Sequence, residues 1–276
     1  MKNAKTYVRK IRKLLGQLRK VSPSPVPPGL ERVRGMLRGI LQADTTRKAA
    51  ERALDAIGEE YVDLNELRVS PIKDITDCMG RDLPGAREKA ETICAVLNNV
   101  FTRANDISID FLESLPRREL RRHLSELGLG PYAAAYTALT VFGLPTIPVD
   151  HTLAACLEID ACVAPGSSVA EVRALLERIV APKDIPAAHE ALRTYAEKQG
   201  KAYAKKIRPA PVVLPAPQAP RFPLTPLAPP PYQPTGKTLP HTDAGKSQAP
   251  TAKGKTVPRP AKPQRKPSNR KPPGRE

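Results

Sequence analysis

The chain has 276 residues, enough for one or two domains, with 32 prolines, 4% aromatic residues and no tryptophan, so part of it is not expected to bury a core. Its net charge of +17 is unevenly spread: residues 1–20 hold eight Lys/Arg and no acid (+8), residues 208–276 hold thirteen against two acids (+11), and 21–207 carry −2. That partition argues against a uniformly basic body and for electrostatic arms on a near-neutral one; the absence of any run of about 20 apolar residues argues against a membrane span.

The charges near the N-terminus lack the apolar stretch and cleavage site of a signal peptide, so a cytoplasmic protein, nucleoid-associated in a bacterium, is the expectation. Four scattered cysteines, Cys78, Cys94, Cys156 and Cys162, do not make a disulfide framework in a chain this long. Cys156, Cys162 and His151 lack a fourth metal ligand and fall on predicted helix, so they read as core thiols and not as a metal site.

Residues 1–20 place Val8, Ile11, Leu15 and Leu18 on one helical face among lysines and arginines, which suits either a basic arm or a helix docked on the body. Residues 21–29, with four prolines, form a linker that cannot be helical. The body, 30–207, opens with Val33, Leu37, Ile40 and Leu41 on one face. Thr45-Thr46 leads into a second helix, with Ala49, Ala50, Ala53, Leu54 and Ile57 inward and Gly58 as its stop. Two short helices over 63–79 end at Gly80, and Leu83-Pro84 opens a longer one carrying Ala86, Ala90, Ile93, Val96, Leu97 and Val100. No strand pattern competes.

A helix over Arg117–Leu127 places Leu120, Leu124 and Leu127 on one stripe. Gly128 and Gly130 break it, and Pro131 starts an alanine-rich helix to about Phe142. Exposed glycine N–H groups before a helix N-terminus suit an anion, although a plain helical hairpin explains the same residues. A short proline-bearing connector reaches Asp150, which either serves a reaction or N-caps the helix from His151. Ser168 with Glu171 forms a capping box, and a last helix spans about 187–198. His123 and His189 read as surface or packing residues. From 208 the composition is that of an extended, disordered Pro/Lys/Arg-rich tail, either a backbone-binding arm or a solubilising one.

The order of these parts resembles the endonuclease III-like helix-hairpin-helix Gly/Pro/Asp superfamily of DNA glycosylases. The resemblance lies in Leu127-Gly128-Leu129-Gly130-Pro131-Tyr132-Ala133-Ala134, Phe142-Gly143-Leu144-Pro145 and Val149-Asp150-His151-Thr152. Weaker matches are Leu41–Ala53 and Gly80 with Arg87-Glu88-Lys89-Ala90. It covers roughly residues 30–200 and implies an all-α, two-lobed body that binds double-stranded DNA, damaged or mismatched, with no obligate protein partner. Gly128, Leu129 and Gly130 would hold DNA phosphate, and Asp150 would be the catalytic carboxylate in hydrolysis of an N-glycosidic bond. Tyr132 stands where family members that cut the strand carry a lysine; a phenol forms no imine, which implies a monofunctional glycosylase with Tyr132 either a wall of its pocket or a plain core residue. Gln42 or Ala43 is the candidate for the residue wedged into the duplex. His151-Thr152 reverses the family's Thr-His. No cysteine follows Cys162, so the four-cysteine iron–sulfur loop has no counterpart and no cofactor is expected. The alternative is a degenerate fold that binds DNA without chemistry.

Overall fold

Apolar residues recurring every three or four positions become eleven α-helices in the computed structural model, which describes residues 4–18 and 30–207. They are α1 (Ala4–Gln17), α2 (Leu30–Gln42), α3 (Arg47–Glu60), α4 (Leu64–Val69), α5 (Ile72–Met79), α6 (Ala86–Ala104), α7 (Arg117–Glu126), α8 (Pro131–Thr140), α9 (His151–Ile159), α10 (Val169–Ile179) and α11 (Ile185–Ala202). Every regular element among the described residues is helical, and none is long and apolar enough to cross a membrane. The linker at 21–29 and the tail from 208, both expected from composition, lie outside the described residues.

Local chemistry sets the helix ends. Thr46 caps α3 by accepting from the Ala49 N–H, and Asp63 caps α4 through Asn65 and Glu66. Ser168 and Glu171 close both halves of the predicted capping box on α10. Gly80, at φ +90°, ends α5 in a conformation disfavoured for any side chain. Two boundaries differ from the sequence expectation. Gly58 does not stop α3, which runs on to Glu60, because its φ is not left-handed and the Tyr61 N–H still bonds to Ile57 O. The long helix starts at Ala86 and not at Leu83, because Gly85 sits in the left-handed region just before it.

Two hydrophobic clusters result. The first gathers α2 to α8 around Met36, Leu41, Leu67, Ile75, Ile93, Leu97 and Leu124. Within it α2 packs closely on α8, where a Cβ at Gly39 would sit 2.9 Å from Tyr136 Cδ1. The second gathers α9, α10 and α11 around Ile147, Cys156, Leu157, Leu176 and Leu192. Here α1 returns: Ile11 is fully buried in this second cluster, with Leu14, Leu15 and Leu18 packed against it. Burying one such isoleucine is worth about 1.5–3 kcal/mol, and Lys10 Nζ adds a hydrogen bond to Ala161 O at 3.0 Å. The seam between the clusters is crossed by the 142–150 connector and the turn from α2 to α3. That seam is where polar side chains are buried.

Candidate functional site

The hairpin is shaped by two glycines with different tasks. Gly128, at φ +97°, requires the freedom of a missing Cβ, and its N–H bonds to Ser125 O at 3.0 Å. Gly130, at φ −62° and ψ 163°, has an ordinary N-cap backbone, and a Cβ there would meet open space. Between them Leu129 turns inward at 5% exposure, and Asn99 Nδ2 pins Leu127 O at 3.0 Å. Gly128, Gly130 and Pro131 face solvent, no side chain caps α8, and Pro131 brings no N–H. The hairpin thus presents backbone and the positive end of a helix, which suits an anion.

One residue on, Tyr132 points the other way. It is 6% exposed, stacks on Tyr136 at 6.1 Å between ring centroids, and its buried Oη has no hydrogen-bond partner among the described residues. Burial pushes its phenol well above the ordinary tyrosine range, so it stays neutral.

The connector brings Asp150 to this ring. Glu177 Oε1 holds the connector, accepting from Thr146 Oγ1 at 2.6 Å and from the Ile147 N–H at 3.1 Å. Asp150 is 3% exposed and N-caps α9, Oδ1 accepting from the Leu153 N–H at 2.8 Å. Its Oδ2 accepts from Arg193 Nη1 at 2.8 Å and from the Asp44 N–H at 3.3 Å. Capping and site chemistry therefore draw on one carboxylate, and the two readings of Asp150 are not exclusive.

Arg193, on α11, is the centre of the seam. Beyond Asp150 its Nη2 donates to Gln42 O at 2.9 Å and to Thr45 O, and its guanidinium lies 5.7 Å from the Tyr132 ring centroid. Asp44, at φ +52°, returns the contact across the seam: its Oδ1 accepts from the Thr152 N–H at 2.9 Å and from Thr152 Oγ1 at 3.1 Å. Two carboxylates therefore cap the start of α9. Lys89 Nζ braces the same turn through Ala43 O at 2.7 Å and Thr45 Oγ1 at 3.0 Å.

The electrostatics follow from this packing. Burial pushes the Asp150 carboxyl up and the Asp44 charge adds to it, while Arg193 and the two backbone N–H donors pull the other way. Burial also lowers Lys89, opposed by Asp44, leaving it at about 8. His189, 3% exposed and edge-on to Tyr136, is pushed down to about 3 by burial, with Arg193 and Arg47 adding to the shift. The crevice lined by Tyr132, Pro148, Asp150, Leu153, His189 and Arg193 has no room for a water molecule. Arg193 lines this crevice and holds Asp150 Oδ2.

The structure brings together Asp150 and Tyr132, and sets Gly128, Leu129 and Gly130 at the mouth of the same helix. Of the wedge candidates, Gln42 is buried at 3% exposure with its carbonyl held by Arg193, and Ala43 is half-buried. Cys156 and Cys162 lie in the second cluster, and no group of metal-ligating side chains forms among the described residues. Three seam residues, Arg193, Asp44 and Lys89, carry no role in the sequence reading. Arg193 was detectable: it follows His189 by four positions and precedes Ala196 by three on the inward stripe of α11. A cation there needs a buried counter-charge.

No protein-family model matches the sequence, and no curated protein matches it at the sequence level. Solved structures do. Endonuclease III trapped in a covalent intermediate with DNA aligns over 81% of this chain and 92% of its own, at 18% identity and TM-score 0.50. The Clostridium acetobutylicum 8-oxoguanine glycosylase/lyase bound to double-stranded DNA aligns over 71% and 70%, at 17% identity and TM-score 0.52. Identities this low speak to architecture: the chain shares the all-α fold of endonuclease III and of the 8-oxoguanine glycosylase/lyase.

Proposed function

We propose that the protein is a base-excision repair protein of the endonuclease III type that grips duplex DNA through the 127–132 hairpin. In this reading it removes a base by hydrolysis, with Asp150 as the carboxylate, once Arg193 has been displaced. The carrying observation is the placement of Asp150. It starts α9 in the crevice walled by Tyr132, which follows the solvent-facing Gly130 by two positions. A carboxylate so placed stabilises positive charge developing on the sugar as the glycosidic bond opens. Tyr132 offers no amine, so the reading carries no Schiff-base strand cleavage.

Opening the site has a cost. Separating a buried ion pair without replacement partners costs about 3–5 kcal/mol, a factor of roughly 10² to 10⁴ in rate. A DNA phosphate that accepts the released guanidinium would offset part of it. The closed crevice also favours a second reading, in which the Arg193–Asp150 pair is permanent and the fold holds DNA without chemistry.

The test is incubation with duplexes carrying uracil, a G·T mismatch, an oxidised purine, an alkylated base or an abasic site, with and without alkali. Strand breaks that appear only after alkali and vanish in Asp150→Asn are the expected result. Breaks without alkali would contradict the hydrolytic route. Retention of duplex with no base released from any of them would establish the second reading.

A further inference from the structure

Helix α1 carries five cations, Lys5, Arg9, Lys10, Arg12 and Lys13, and no acid. Lys5, Arg9 and Arg12 follow at spacings of four and three, so they form one stripe. That stripe does not face solvent alone. With Val8 and with Arg178 from the last turn of α10, it lines an open groove of about 550 Å³ on the second lobe. Among the described residues none of these four cations makes an ion pair or a hydrogen bond. Elsewhere on the body arginines are commonly paired: Arg32, Arg34, Arg38, Arg47, Arg81, Arg87, Arg103 and Arg122 all meet carboxylates. The groove is thus a concentration of unneutralised charge on a near-neutral body.

We propose that this groove is a second phosphate-binding surface for duplex DNA, separate from the hairpin; it rests on the reading of the protein as a DNA binder. The occupant is argued from charge and shape. Four cations spread along an open groove, without converging on a point, suit a polyanion better than one small anion. Lys5 to Arg12 spans about 10 Å of helix axis, which matches about three phosphates of one strand at 3.4 Å of axial rise each. An anionic membrane fits less well. The apolar side of α1, with Ile11, Leu14, Leu15 and Leu18, is turned into the second cluster and leaves little to enter lipid. The chain's own end at 208–276 carries +11 and is repelled.

The test uses the full chain and an undamaged duplex, with affinity measured across a range of salt concentrations. The groove variant is Arg9→Gln/Arg12→Gln/Arg178→Gln. The control, Arg52→Gln/Lys73→Gln/Lys183→Gln, removes the same charge from exposed positions elsewhere. Each lost phosphate contact lowers the slope of log affinity against log salt by about 0.9. We expect the groove variant to lose about 2 to 3 from that slope and at least tenfold in affinity, with the control changing far less. Arg12→Gln alone should lower the slope by about 0.9, which covers the case of a poorly folding triple variant. Equal effects in groove and control variants, or no change in the groove variant, would overturn the proposal. So would loss of binding to vesicles of anionic lipid with duplex affinity intact. Gly130→Asp separates the two surfaces. If it abolishes binding while the groove variant binds normally, only the groove proposal fails; if the groove variant alone weakens binding, the hairpin reading fails and the groove stands. A wild-type chain that does not retain duplex overturns both.

Discussion

At Arg193 a single side chain decides how the site is read. A guanidinium in the interior is tolerable because it meets Asp150 at 2.8 Å and two backbone carbonyls, and Asp150 is tolerable for the same reason. Each member is costly without the other. Arg193→Leu should therefore destabilise the fold by about 3–5 kcal/mol, and Asp150→Asn by a comparable but smaller amount, since the amide keeps one acceptor for Arg193. The double variant should cost clearly less than the sum, with a coupling of about 2 kcal/mol. Urea unfolding of the four proteins checks this, and simple additivity would show that the pair is not coupled. His189 offers a second residue-scale test, through pH. Its folded value of about 3 lies below the ordinary 6.5, so between these limits the unfolded chain holds a proton that the folded chain does not. Stability contributed by neutral His189 is present above 6.5 and is lost as pH falls toward 3, with a slope of up to about 1.4 kcal/mol per pH unit. His189→Phe keeps an edge for Tyr136 and should flatten the loss between pH 6 and pH 4; parallel curves for both proteins would contradict the shift.

The hairpin shows how one element divides its labour between neighbouring glycines, and that division separates stability from binding. Gly128 needs its positive φ, so Gly128→Ala should destabilise by about 1–2 kcal/mol. Gly130 does not, and an aspartate there finds open space and N-cap geometry. Gly130→Asp should leave the melting temperature unchanged or slightly raised, since capping by Asp instead of Gly is worth a few tenths of a kcal/mol. It should also cut duplex affinity at least tenfold, because a carboxylate then occupies the place of a phosphate. Unaltered affinity would remove the hairpin from the DNA interface. This element was legible in the sequence, as were the helices around it, because local rules govern them: period, glycine, proline and capping box all act within a few residues. What was not legible acts across the chain. Asp44 and Thr152 are 108 positions apart, and Arg193 and Gln42 are 151 apart. Gln42, read as a wedge from its place beside the expected glutamine, turned inward because its turn is tied to α9 and α11 by those contacts. At Arg193 and Lys89 a local clue to the long-range partner did exist, a cation on an apolar stripe.

Across the whole molecule, α1 carries both packing and charge, while most of the remaining net charge lies beyond the residues that build the clusters. Both hydrophobic clusters and their packed rims are built from residues between Ile11 and Ile207. The segment 21–207 holds a net −2 while the last 69 residues hold +11. Removing residues 208–276 should therefore leave the thermal midpoint within about 2 °C, since a change of 1 kcal/mol shifts it by about that much or more in a body this size. The same truncation should weaken the salt dependence of duplex binding. With about 0.9 of slope per phosphate contact, loss of contacts from even four of the thirteen cations there lowers the slope by about 3.6. The comparison to make is the full chain against residues 1–207, by thermal unfolding and by duplex titration at several salt concentrations. A lower slope with an unchanged midpoint assigns part of the DNA grip to the basic end, while the folded body keeps the hairpin and the seam. An unchanged slope would return the whole electrostatic contribution to α1, α10 and the hairpin, and the basic end would then serve solubility alone.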